Sequence, residues 1–142
     1  MIQPQDVTKN RILVDTDVFS YIFHGHEQAR FFRPYLEHKS LAVSFMTVAE
    51  LYYGAYKAAW GTSRIVRLEN QLKNYVILPY DIFVCQHWAR IRKDCEEQGR
   101  SINHPDAWIA ACALLYDCAL ATNNGKHFEC IKKLEIICPT LF

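Results

Sequence analysis

One stretch near the amino terminus constrains the fold more than any other: RILVDTDVFSYI, Arg11 to Ile22. Ile12, Leu13 and Val14 form a short apolar run of β-favouring type. The pattern then breaks at Asp15-Thr16-Asp17. Val18, Phe19, Tyr21 and Ile22 follow at the spacing of an amphipathic helix. A buried strand that stops at a carboxylate and feeds a helix is how open α/β sheets present chemistry, because ligands sit beyond the carboxyl ends of the strands. Asp15 is therefore read as the anchor of a metal site, with a helix-capping carboxylate as the competing role. Asp17 is placed to cap a helix over residues 17–24.

The rest of the chain repeats this alternation. Apolar runs at Leu41-Ala42-Val43, Val76-Ile77-Leu78, Ala119-Leu120-Ala121 and Ile136-Ile137-Cys138 read as further strands. Helical patterns fill residues 27–37, 45–60, 63–73, 81–99 and 105–116, with Asp81 as a cap and Pro105 in a first turn. Leu51, Gly54, Ala55, Ala58 and Ala59 give the third helix a small-residue face suited to close backbone approach. Strands alternating with helices predict a three-layer α/β/α fold with a central parallel sheet of four or five strands. The 142 residues fit one domain, with residues 1–10 as a loose leader.

Charge and cysteines bound the partners. A net charge of +1 lacks the basic excess of many nucleic-acid binders, so a polyanion site would be local or rely on bound cations. The six cysteines include no C-x-x-C pair, the opening residues are polar, and no eighteen apolar residues run together. These features predict a cytoplasmic protein without a membrane span, its cysteines reduced and mostly buried.

Three later segments carry polar groups at element ends. In SFMTVAEL, Thr47 and Glu50 could form a capping box with Thr47 as the cap. Phe45 and Met46 continue the apolar pattern, which favours Ser44 as the cap and turns Glu50 toward the sheet's carboxyl edge. In NHPDAWIAACALL, Asp106 shares a helix face with Ile109, Ala110, Ala113 and Leu114, so it heads an apolar stripe rather than a solvated face; the helix dipole alone would favour an acid there too. In ATNNGKHF, Asn-Gly is a generic turn signal, yet Thr122, Asn123 and Asn124 would stand at the same edge as Asp15, with Lys126 and His127 beside them for substrate contact. Asp15, Glu50 and Asp106 within a few ångströms would repel one another unless a pKa rises or a cation intervenes. A hard ion such as Mg²⁺ or Mn²⁺ suits oxygen ligands and a phosphate substrate.

Taken in order, LVDTDVFSYI, SFMTVAELYYGA, PDAWIAACAL and ATNNGKHF resemble the PIN domain, and specifically the VapC-type toxins of type II toxin–antitoxin pairs. The resemblance spans Ile12 to Phe128. It implies a divalent-metal-dependent endoribonuclease using Mg²⁺ or Mn²⁺. It assigns Asp15 and Asp106 as metal ligands, Glu50 as the third acid, and Ser44 and Thr47 as pocket hydroxyls. Thr122 and Asn124 match the segment where many relatives place a fourth acid; here an amide stands there, so one tightly held ion is expected. The resemblance also implies an RNA substrate, a homodimer and a cognate antitoxin; aromatics such as Tyr52, Tyr53, Tyr56 and Trp60 either pack against one another within the domain or form an exposed groove for the antitoxin's helix or tail. Two rivals accompany it. One is a PIN-like domain that binds RNA or a partner without cutting. The other is a haloacid-dehalogenase-type phosphatase, with Asp15 as nucleophile and Asp17 as its acid/base.

Overall fold

Ile12, Leu13 and Val14 are all inaccessible to solvent, as a strand covered on both faces requires. The computed structural model describes residues 2–139. Among them the strands are β1 (Arg11–Val14), β2 (Ser40–Ser44), β3 (Val76–Leu78), β4 (Cys118–Ala121) and β5 (Ile136–Ile137). The helices are α1 (Thr16–Phe23), α2 (Ala29–Leu36), α3 (Phe45–Lys57), α4 (Thr62–Leu72), α5 (Ile82–Glu97) and α6 (His104–Leu115). The sheet is parallel throughout, in the order β3-β2-β1-β4-β5. The three-layer α/β/α expectation with a parallel sheet is met.

Successive strand residues point to opposite faces. Ile12, Val14, Val43, Ala119 and Ala121 pack in a cluster with Phe19, Phe32 and Leu68 from α1, α2 and α4. Leu13, Ala42 and Leu120 pack on the other face with Ile91 of α5 and Ile109, Ala110 and Ala113 of α6. β1 lies at the centre. The chain leaves it toward β2 and β3, then returns on its other side as β4 and β5. The strand order therefore reverses between β1 and β4, the place where open α/β sheets leave a crevice for ligands.

Local chemistry sets the helix starts. Ser44 caps α3, its Oγ accepting from Thr47 N at 3.0 Å. Asp81 caps α5 through Val84 N, and Asn103 caps α6 with Pro105 in the first turn. Asp15, not Asp17, caps α1, because the helix begins one residue earlier than expected. The small-residue face of α3 does not serve close packing. Ala55 is buried, but a Cβ added at Gly54 would meet nothing within 4 Å.

Two expectations are corrected. The leader is tied down rather than loose: Val7 is buried, Tyr35 Oη donates to Ile2 O at 2.8 Å, and Thr8 donates through N and Oγ1 to Glu135 at 3.0 and 2.6 Å. Met1 lies outside the described residues. The cysteines are not all reduced: Cys95 of α5 is bonded to Cys130, 35 residues away, while Cys112, Cys118 and Cys138 are free and buried and Cys85 is free and exposed. No sequence spacing marks this pair, because the fold, not a local motif, brings the segment after β4 against α5. Among the described residues, no helix is long and apolar enough to cross a membrane.

The bridge closes a loop across 35 residues of sequence. Chain entropy then gives it roughly 2–4 kcal/mol of stabilisation. Urea unfolding with and without a dithiol reductant should show that difference. Coincident transitions would mean that the bridge contributes nothing to the folded state.

Candidate active site

The β1–β4 register builds the site. Val14 pairs with Ala121, so the next residues, Asp15 and Thr122, meet at the carboxyl edge. Asp15 N donates to Ala121 O at 2.9 Å. Its carboxylate accepts from Thr16 N at 2.8 Å on Oδ1 and from Thr122 Oγ1 at 2.7 Å on Oδ2. Asp15 is only 6% exposed. Burial raises its pKa, the two hydrogen bonds oppose that rise, and the nearby Asp106 charge adds to it.

Glu50 reaches the same place from α3. Its Oε1 accepts from Thr16 Oγ1 at 2.9 Å, and Thr47 Oγ1 lies 3.0 Å from the same hydroxyl. Thr16 has one hydroxyl proton, and the bond to the carboxylate is the stronger use of it. Thr47 then donates to Thr16, with the buried Ser44 hydroxyl 3.4 Å from Thr47 Oγ1. Burial raises the pKa of Glu50, and the charges of Asp15 and Asp106 push the same way.

Asp106 stands in the first turn of α6. Asn103 accepts from its backbone N at 2.8 Å and donates Nδ2 to its Oδ2 at 2.9 Å. His127 Nδ1 lies 3.1 Å from the same oxygen. Lys126 is exposed in the same 3-10 turn, Gly125–Phe128.

Asp17 is a site residue that the sequence reading assigned to capping. Its Oδ2 accepts from Asn123 N at 3.2 Å and from Asn124 Nδ2 at 3.0 Å, and its Oδ1 from Val18 N at 2.7 Å. Burial, then the Asp15 charge, pushes its pKa up to about 7. The amide at the expected fourth-acid position therefore holds a carboxylate that comes from the first turn of α1. The two-residue spacing of Asp15 and Asp17 was the available signal. Asn103 was also missed; its place three residues before Asp106 marks it as a cap that can reach back.

The fold thus brings Asp15, Glu50, Asp106, Ser44, Thr47, Thr122, Asn123, Asn124 and His127 to one edge, and adds Thr16, Asp17 and Asn103. The donors at its centre are oxygens, and burial and mutual repulsion raise the pKa values of three of the acids. That chemistry fits a hard divalent cation. Among the described residues, no three His, Cys, Asp or Glu side chains converge tightly enough to enclose an ion unaided. The fit is to an ion held by one or two carboxylates, with water and substrate oxygens completing the shell, as Mg²⁺ prefers. A cavity of about 590 Å³ lies elsewhere, between α5 and residues 130–133, and none of these four acids lines it. The acidic edge, not that cavity, has the convergent chemistry.

Comparison with known proteins gives the family of this fold. The PIN domain family model matches residues 12–134. Ribonuclease VapC2 of Haemophilus influenzae is 31% identical over 119 residues, covering 84% of this chain and 90% of that one. The structure of VapBC-1 from nontypeable Haemophilus influenzae superposes with a TM-score of 0.78 at 28% identity, covering 92% of this chain and 99% of its own. VapBC-5 from Mycobacterium tuberculosis, a member of the VapBC family of toxin–antitoxin systems, superposes with a TM-score of 0.67 at 27% identity over 91% and 98% of the two chains. The chain belongs to the PIN-domain family, in its VapC-type branch.

Proposed function

We propose that this protein is a divalent-metal-dependent endoribonuclease that hydrolyses RNA phosphodiester bonds and acts as the toxin of a toxin–antitoxin pair. The observation that carries the reading is the buried Asp15 carboxylate, set among Asp17, Glu50 and Asp106 with burial and like charge opposing its ionisation. Asp15 and Asp106 would hold Mg²⁺ or Mn²⁺. When bound, such an ion lowers the pKa of water and draws charge from phosphate oxygens.

The chain's own residues do the positioning. Thr122 and Thr16 N fix both oxygens of Asp15. Asn103 and His127 fix Asp106. Glu50 is assigned proton exchange: burial raises its pKa, which makes it a better proton acceptor, and Thr16 orients it. Asp17, held by Asn123 and Asn124, supplies the fourth carboxylate that position 124 lacks. That removes the main support for a binding-only domain. It also leaves Asp17 hydrogen-bonded to amides instead of poised as a phosphatase acid/base.

Two surfaces support the protein partners. Val76, Ile77, Tyr80, Ile82 and Phe83, all 45–72% exposed, cluster along edge strand β3 and the start of α5, a face suited to a second copy of the chain. Tyr53 and Tyr56, 66% and 65% exposed on α3, offer a ridge for an antitoxin helix or tail.

Three outcomes follow. Asp15→Asn should lower Mn²⁺-dependent cleavage of structured RNA by about 100-fold or more; cleavage equal to wild type would overturn the reading. In EDTA, folded Asp17 keeps up to about pH 7 a proton that the unfolded chain releases at the ordinary carboxyl value of 3.8. Its contribution to stability is therefore fully present below pH 4 and is lost as pH rises through about 7. Urea unfolding should show wild type losing about 1–2 kcal/mol more than Asp17→Asn between pH 5.5 and pH 7.5, whereas identical losses would remove the carboxylate repulsion from the account. Phe83→Glu should shift the particle from dimer to monomer in light scattering at unchanged helix content, and a dimeric variant would exclude the β3 face.

A further inference from the structure

Beyond the acidic centre, the surface between the end of α5 and the turn after β4 is cut by a notch of about 290 Å³, lined by Arg100, Ser101, Lys126, His127 and Cys130. It adjoins the acidic centre through His127, which contacts Asp106. Its charge is of the opposite sign. Lys126 is exposed and forms no ion pair among the described residues, in a chain whose net charge is only +1. Arg100 donates Nη1 to Glu129 Oε2 at 2.9 Å, but both side chains are about half exposed, 52% and 50%. Such a pair is worth little in water, and the guanidinium keeps further donors for another acceptor.

The walls are braced rather than loose. The Cys95–Cys130 bridge ties α5 to the segment that follows Lys126 and His127. Gln98 Nε2 donates to Cys130 O at 2.9 Å, and Arg100 N donates to Cys95 O at 2.9 Å. The residues on either side of the notch are thus held at a set separation before anything binds, which lowers the ordering cost of binding.

We infer that this notch binds one backbone phosphate of the RNA strand, flanking the bond to be cut, through Arg100, Ser101 and Lys126. The inference rests on the ribonuclease reading above. A phosphate is the group that this chemistry selects: the lining holds cations and a hydroxyl, the donors that contact phosphate oxygens. It holds no Phe, Tyr or Trp, and its one aromatic ring, His127, is engaged with Asp106. The arrangement also lets one strand cross two fields of opposite sign. The acidic centre repels phosphate until a cation is present, and the basic notch holds the neighbouring phosphate without one.

The test is fluorescence anisotropy of a 5′-fluorescein single-stranded RNA of about twelve nucleotides, titrated with the full chain in EDTA at several salt concentrations, where the absence of free divalent ions prevents cleavage. Arg100→Ala and Lys126→Ala should each weaken binding by roughly 3–10-fold. Their double variant should lower the salt slope by about 0.7, the amount expected for one phosphate on a single strand. Glu129→Gln removes the competing carboxylate and should tighten binding by about twofold or more. Lys9→Ala, whose amine pairs with Asp117 at the opposite, amino edge of the sheet, should change nothing. Wild-type binding that is indifferent to Arg100 and Lys126, or weakened by Glu129→Gln, overturns the notch and leaves the nuclease reading standing. A wild-type chain that binds no RNA in EDTA at any salt overturns the notch, and one that in addition cleaves no RNA when Mn²⁺ is supplied overturns both.

Discussion

The pairing of β1 with β4 is the constraint on which the rest of the molecule depends. It sets Val14 opposite Ala121, and so forces Asp15 and Thr122 together at the end of the two central strands. Every other polar group of the site reaches toward that point from an element that the sheet holds in place. Glu50 comes from α3, whose start is set by the Ser44 cap at the end of β2. Asp106 comes from the first turn of α6, set by the Asn103 cap. Asn124 comes from the turn that ends β4. A one-residue slip in the β1–β4 register would turn the Val14 and Leu13 side chains to the wrong layers and would part Asp15 from Thr122 together.

That arrangement carries a cost. Carboxylates buried beside one another resist ionisation, and the raised pKa values of Asp15, Asp17 and Glu50 are the measure of it. A structural cluster would be expected to relieve such repulsion with Arg or Lys. Here hydroxyls and amides surround the acids: Thr16, Thr47, Thr122, Asn103, Asn123 and Asn124. Neutral donors orient carboxylates without cancelling their charge, which leaves the attraction for a cation intact. The basic side chains stand one step away, at Arg100, which pairs with Glu129, and at Lys126, and neither pairs with any of the four acids.

Much of this was legible in the chain. The abrupt change at Asp15 gave the strand end, and strand–helix alternation gave the parallel sheet. Ser44 was recognisable as a cap because Phe45 and Met46 already belong to the helix, and that start turns Glu50 to the carboxyl edge, where it accepts from Thr16. What could not be read depended on tertiary partners. Asp17 looks like a cap in one dimension, and only the return of β4 beside β1 brings Asn123 and Asn124 to it. Cys95 and Cys130 carry no local spacing signal, because their meeting depends on α5 packing against the segment after β4. The leader looked loose because it is polar, yet Thr8 and Glu135 meet across nearly the whole length of the chain.

The central claim is that the acids at the carboxyl edge form a divalent-cation site anchored by Asp15. Calorimetric titration of Mn²⁺ into the full chain, in parallel with its Asp15→Asn variant, tests it most directly. The account predicts saturable binding to the wild-type protein that is lost in the variant while the variant remains folded. Saturable binding of equal strength to both, or none to the wild type, would contradict it.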